Sequence, residues 1–499
     1  MNEDNRPVLV GTAQLVVRDA DPREAPEPLA MLLQMARDAA RNAGTGDQAL
    51  RGIDSVGLVD VAGWLAPNGG RFLAEQLGAT SRCELASGLG GEAPLTMVNR
   101  LARRIANGES RIALAVGCNN MHTLKRARQR EVKLDWTIGG SGQAEVIAEP
   151  SLGNNPLEQQ HGLDMPVQNY PVLENALRAR LGLSLEKHRE RLGRLFAPFT
   201  ETAAKNPYAW FPVRRSAAEL VTPTAENRMI AFPYTKYLNA VLETDQAAGV
   251  LLMSAGAARE LGIAEDRWLY WWGGAYTKER AWFVSERPDL SRAPAMAECA
   301  RRTLASANVT IDEIDRIDFY SCFPVAVQSA AESYGVADGD PRALTVTGGL
   351  PYAGGPANNY TLHSLAAMAD LLRSHPGEKG LVTGNGWYLT KHSGCVWSTE
   401  RPTSDGIDPG PNAADPLPAP LPVVVASRGT GRIEGYTAVY DREGAPARGI
   451  VIGRTDEDQR FIANTPADRA LLERFVASEQ VGRKGRLSRD GELGRFEPE

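Results

Sequence analysis

Short apolar runs alternate with alanine-rich amphipathic stretches along most of the chain. Val8-Leu9-Val10-Gly11-Thr12 reads as a buried strand ending in small residues, and residues 56–61 and 112–117 read as two more. Helical spacing of apolar residues surrounds Met35-Ala36-Arg37-Asp38-Ala39 and returns over residues 94–106. The order then repeats 261 residues later. Met296-Ala297-Glu298-Cys299-Ala300 faces the first helix, and Ile314-Asp315-Arg316-Ile317 faces Ile53-Asp54-Ser55-Val56 without a gap. Both halves open on a strand (the second over residues 269–274) and continue through a glycine-rich turn, at residues 88–91 and 348–355. Each turn leads into a helix and another apolar strand, the second pair over residues 362–373 and 381–386. A duplicated unit of this kind predicts an α/β protein with two sheets packed through shared central helices.

Between the repeats lies more chain than a connection needs. It holds a Pro/Asn-rich stretch (residues 153–171), a charged helix (185–196) and Tyr208-Ala209-Trp210-Phe211-Pro212. The predicted organisation is a first half over residues 1–118 and 247–268, an inserted loop domain over 119–246, and a second half over 269–400. Residues 401–422 carry seven prolines and read as a semi-rigid extended linker. Residues 423–499 alternate as a small β unit would: Ile433-Glu434-Gly435-Tyr436-Thr437-Ala438-Val439-Tyr440, a turn, a strand over 448–453, a helix over 466–478 and a strand over 481–487. Five short strands and one helix suit an OB-like barrel.

With 43% hydrophobic and 23% charged residues, the 499-residue chain has the balance of a soluble globular protein. A net charge of −6 argues against a general nucleic-acid or anionic-membrane binder. The final unit carries thirteen basic and thirteen acidic side chains, so it shows no charge footprint for an oligonucleotide. The longest apolar stretch, residues 247–258, is far short of a membrane span, and no signal core follows the N-terminus. Cys83, Cys118, Cys299, Cys322 and Cys395 stand singly, which predicts reduced thiols in a cytosolic protein, no disulfide framework and no metal site.

Four segments carry the chemistry. Gly90-Gly91-Glu92-Ala93-Pro94 opens the helix that ends at Ile105-Ala106-Asn107-Gly108. Tyr320-Ser321-Cys322-Phe323 follows the Ile-Asp-Arg-Ile strand, Gly348-Gly349-Leu350-Pro351-Tyr352-Ala353-Gly354-Gly355-Pro356 forms the second turn, and Asn385-Gly386-Trp387-Tyr388-Leu389 ends the last strand. On these segments the chain resembles the thiolase superfamily over roughly residues 6–400. With its tail it is most similar to the thiolase-like proteins of type one, relatives of acetyl-CoA acetyltransferases that have an additional C-terminal domain. The resemblance implies a duplicated thiolase-like αβαβα core. It also places the family's nucleophilic cysteine on Gly91, its histidine on Gly355, its second cysteine on Asn385 and its water-holding Asn or His on Tyr320. Without a low-pKa thiolate and a base, ping-pong acyl transfer has no route.

What the resemblance leaves is a binding site. Main-chain N–H groups at Gly90, Gly91, Gly354 and Gly355 are candidates to hold a thioester carbonyl, or those glycines serve close helix packing. Glu92 is a candidate substrate-binding residue that reads as an acid favouring the helix dipole or as a catalytic carboxylate, Asn385 as a pocket residue and Lys236 as a candidate for a CoA phosphate. Tyr320, Tyr352, Tyr360 and Tyr388 fall in pocket-lining segments, and His363 and His392 are candidate bases. The expected ligand is coenzyme A or an acyl-CoA, with no tightly bound cofactor. The leading expectation is acyl-CoA binding without thiolase chemistry. A CoA-dependent carbon–carbon lyase working by a retro-aldol route, with Tyr320, Tyr352 and His363 as its groups, stands beside it, as does a non-catalytic scaffold for lipid or CoA enzymes. Thiolases dimerise along a sheet edge; here the added domain leaves both homodimer and monomer open.

Overall fold

The computed structural model describes residues 2–403, 405–414, 416–426 and 428–499; residues 404 and 415 of the proline-rich stretch, with 1 and 427, lie outside the described residues. Pro7–Val16, Ser55–Leu58, Cys83–Ala86, Ile112–Asn120 and Asp245–Ser254 form the first half of the main sheet. Leu269–Lys278, Arg316–Asp318, Lys379–Gly386 and Lys391–Ser398 form the second. The two groups are not separate sheets, as the repeat predicts. Val8 pairs with Tyr270 and Leu9 with Leu269 in an antiparallel bridge, which joins all the strands into one path. The duplication itself is visible in the outer helices Pro28–Asn42 and Pro294–Ala307, whose matching Met35 and Met296 are both buried.

The layer between the halves holds the central helices Ala93–Ala106 and Tyr360–Ser374. Leu95, Val98 and Leu101 of the first meet Leu362, Leu365 and Leu372 of the second in one apolar cluster that also takes in Leu252, Val382 and Trp397 of the sheet. These side chains are wholly buried, so truncating any one of them to alanine leaves a cavity that costs about 2–5 kcal/mol. Strands approach the helices closely at glycine. A Cβ at Gly57 would strike the Met97 side chain, and one at Gly380 the Met368 side chain.

Residues 423–499 build the OB-like barrel. Thr430–Tyr440 pairs with Pro446–Thr455, which pairs with Arg460–Asn464; Leu493–Pro498 and Lys484–Asp490 then return to Thr430–Tyr440 and close the ring. Helix Arg469–Ala477 lies between the third and fourth strands in the chain. The barrel does not hang on its linker alone. A hairpin from the inserted segment, Met229–Ala231 with Tyr234–Thr235, extends its sheet through Ala231 and Val439. Helix Pro166–Arg180 packs on the same strand, and the buried Asn175 donates from Nδ2 to the carbonyls of Phe232 (3.2 Å) and Tyr436 (3.0 Å). Arg178, three residues on along the same helix, completes the grip by donating from Nη2 to Glu479 at 2.6 Å. Among the described residues no helix is long and apolar enough to cross a membrane.

Asn175 satisfies carbonyls on both sides of this junction. Asn175→Ala removes both donations, leaving Thr437 Oγ1 (2.9 Å) as the side-chain donor on the Phe232 carbonyl, and is expected to cost about 1–3 kcal/mol in guanidinium unfolding and to speed proteolytic release of the barrel.

Candidate functional site

The starts of the two central helices and the turn before Lys391–Ser398 converge on one buried centre. The loop over residues 88–91 leaves strand Cys83–Ala86 with Gly88 at φ +66° and Gly90 at φ +148°, backbone shapes that side chains disfavour. Asn358, from the second half, clamps this loop: its Oδ1 accepts the Gly90 N–H at 3.0 Å and its Nδ2 donates to the Gly88 carbonyl at 3.3 Å.

Glu92 stands at the N-cap of helix Ala93–Ala106 and is buried. Its Oε1 lies 2.7 Å from the ammonium of Lys391, which is wholly buried and also donates to the Leu89 carbonyl at 2.6 Å. Glycines wall the pair. A Cβ on Gly90 or on Gly386 would overlap Glu92 Oε2, which has no hydrogen-bond partner among the described residues. Burial pushes the Glu92 carboxyl above its ordinary range, and Lys391 pulls it back only in part. So the acid expected to serve a helix dipole is instead half of a sealed ion pair.

Tyr320 occupies the space next to Gly91. A Cβ on Gly91 would overlap the Tyr320 hydroxyl and would stand 2.7 Å from the Asn385 carbonyl oxygen. The Tyr320 N–H donates to Thr383 Oγ1 at 2.9 Å, and its ring meets Tyr360 edge-on, centroids 5.4 Å apart. Burial holds its phenol well above the usual value, with Cys322 and Glu92 adding to the effect. The Asn385 side chain donates to the Tyr170 hydroxyl at 2.8 Å. Cys322 is buried with its thiol pushed up to about 12, which leaves no thiolate at neutral pH. The space that remains, lined by Tyr320, Tyr334, Thr383, Asn385 and His392 among others, is a cavity of about 10 Å³. That is room for about one water molecule.

Of the other candidates, His392 and Tyr360 border Tyr320, and the rest lie apart from it. Tyr352 is buried against Phe196, and its hydroxyl has no partner. His363 is buried on the second central helix, where its Nδ1 meets Gln14 Oε1 at 3.0 Å and burial lowers its pKa to about 3. His392 is likewise buried and lowered to about 3. Tyr360 is spent on Thr347 (2.6 Å) and Asp318 (3.3 Å), and Tyr388 packs edge-on against Tyr170. Lys236 is exposed. Nor is every main-chain donor free: the Gly355 N–H donates to the Val241 carbonyl at 2.8 Å, and the Gly90 N–H to Asn358. Gly354 abuts the Gln246 amide, which donates to the Ala353 carbonyl at 2.9 Å. Lys391 and Asn358 are the residues that sequence reasoning misses. The partner of each lies between 268 and 299 residues away, and the one local hint is a lysine at the start of a wholly buried strand.

Comparison with known proteins gives the centre its context. At 32% identity and a TM-score of 0.84, with 99% of each chain covered, the protein matches a monomeric SCP2-thiolase-like protein type 1 from Mycobacterium smegmatis. The chain belongs to the type 1 thiolase-like proteins. Residues 409–492 match the model of the thiolase-like protein type 1 additional C-terminal domain, so the barrel of this thiolase-like protein is that added domain. An acetyl-CoA acetyltransferase from Methanothermobacter thermautotrophicus is 26% identical over 207 residues, 38% of this chain; the match spans about half (51%) of that curated relative. The Ltp2-ChsH2(DUF35) aldolase shares the fold at 17% identity, with a TM-score of 0.61 over 80% of this chain and 98% of that one. In this type 1 thiolase-like protein the first-half end of the sheet is capped by its own strand Glu145–Val146, which pairs with Leu85 and Ala86.

Removing the Lys391 charge strands Glu92 in the core. Lys391→Met is expected to cost about 3–5 kcal/mol at neutral pH, and Glu92→Gln/Lys391→Met to recover most of it. The folded state holds the Glu92 proton more tightly than the unfolded chain, so this group makes stability fall as pH rises from 4.5 through its raised value. Guanidinium unfolding of the single variant at about pH 5 and pH 7 should therefore show the smaller loss at the lower pH.

Proposed function

We propose that this protein engages acyl-CoA thioesters as a binding member of the thiolase superfamily and carries out no thiolase acyl transfer. The observation that carries the second half of this reading is the filled position beside Gly91: Tyr320 stands where a side chain on residue 91 would have to go. Neither a nucleophile nor the room for one is present there. The family's histidine position is Gly355, whose N–H is spent on Val241, and its second cysteine position is Asn385. Kinship with proteins named for acetyl-CoA supports the ligand class. A thioester reaches Gly91 only when Tyr320 turns aside, since its hydroxyl stands against Gly91 and the small cavity on the far side of its ring holds about 10 Å³.

That small volume favours a second reading, a scaffold in which the centre is plain core. The retro-aldol alternative draws no support from the placement of its groups, because Tyr320, Tyr352 and His363 face Gly91, Phe196 and Gln14 respectively.

Thermal-shift titration with CoA, acetyl-CoA and a longer acyl-CoA separates the readings. Stabilisation at saturating ligand is expected, about 2.7 kcal/mol at a hundredfold excess over Kd. That corresponds to a rise of roughly 5–10 °C, at about 2–4 °C per kcal/mol. A shift seen with Tyr320→Ala and not with the native protein would favour the scaffold. Claisen or thiolytic turnover of acetoacetyl-CoA above a no-enzyme control would overturn both readings.

A further inference from the structure

A cavity of about 490 Å³ lies outside the centre described above, between the start of helix Pro294–Ala307, helix Pro324–Tyr334 and Pro418 of the proline-rich stretch. Its size is that of a small-molecule site. Ala281, Pro288, Ala293, Pro294, Ala297 and Pro418 make much of its wall hydrocarbon.

The polar groups in the wall are uneven. Three carboxylates, on Glu279, Asp289 and Glu332, face two guanidiniums, on Arg287 and Arg292. Arg292 is already committed to Glu332 at 3.1 Å and Asp289 at 3.6 Å. Arg287 is turned away, its Nη2 donating to the Leu389 carbonyl (3.1 Å) and to Thr390 Oγ1 (3.0 Å), while its Nε and Nη1 are shut off from solvent. Glu279 is different. It is only 4% exposed, and its Oε1 accepts the Ala295 N–H at 2.8 Å. Among the described residues its Oε2 accepts no hydrogen bond and the side chain enters no ion pair. Burial pushes the carboxyl above its ordinary range although Arg287 lies near enough to oppose the shift. Arg287 thus offsets part of the Glu279 charge from a distance, while among the described residues no donor meets Oε2.

We propose that this cavity is a binding site for a small aliphatic amine, with the ammonium on Glu279 Oε2 and the alkyl body against the alanine and proline wall. An ammonium supplies the donor that Glu279 Oε2 lacks, and a charge-assisted hydrogen bond of this type is the stronger kind. A carboxylate ligand would meet Glu279 as a like charge, since Arg292 and Arg180 are already held by Glu332. The assignment does not depend on the acyl-CoA reading, since no residue of the Gly91 centre lines this cavity.

The test is calorimetric titration of the full chain with n-hexylamine, n-hexanol and hexanoate. Saturable one-to-one binding of hexylamine is expected, about tenfold or more tighter than hexanoate. Glu279→Gln, which keeps the shape and removes the charge, should weaken hexylamine by about tenfold and leave hexanol unchanged. Ala297→Phe, at an exposed position of the wall, should abolish binding of both while the melting temperature stays near that of the native protein. Equal binding of hexanoate and hexylamine, hexylamine binding that survives Glu279→Gln undiminished, or no saturation with hexylamine would each overturn the assignment.

Discussion

The ion pair between Glu92 and Lys391 joins the first central helix to a strand of the opposite half at a depth where neither charge meets water. A pair in that position is tolerated only when everything around it cooperates, because desolvation of two ions rivals their attraction. Gly90 and Gly386 must stay without side chains to admit it. Asn358 must hold the loop that offers the Leu89 carbonyl to the ammonium. The result is a centre whose order comes from fitting and neutralisation.

Much of this architecture is legible in the residues. The duplication shows because Met35 and Met296 do the same packing work on the two outer helices, and selection for one shape leaves one pattern. The barrel shows because its strands alternate between core and solvent. What escapes is the contact between units. The single sheet rests on two residue pairs, Val8–Tyr270 and Leu9–Leu269, in runs already apolar for other reasons. The docking of the barrel rests on Asn175 and Arg178, polar residues of a helix whose pattern gives no sign of a partner.

The centre follows the same division. That glycine-rich turns open both central helices, at residues 88–91 and 348–355, is a matter of spacing, which a sequence displays. That Tyr320 fills the space beside Gly91 is a matter of volume, which it does not. The tyrosine was reasonable as an acid because its segment faces the pocket; in the folded protein its hydroxyl is enclosed, with its proton held firmly. Glu92 is visible as an acid at a helix start, while its partner sits 299 residues away in a strand where a lysine has no local reason to be.

The occupation of residue 91's space by Tyr320 also couples the two positions. A side chain on residue 91 requires a smaller residue at 320 in the same step, since either change alone leaves a clash or a void. Glu92 and Lys391 are coupled in the same way across the two halves, because losing one charge strands the other. Substitutions in this centre therefore come in pairs, while those on distant surfaces add independently.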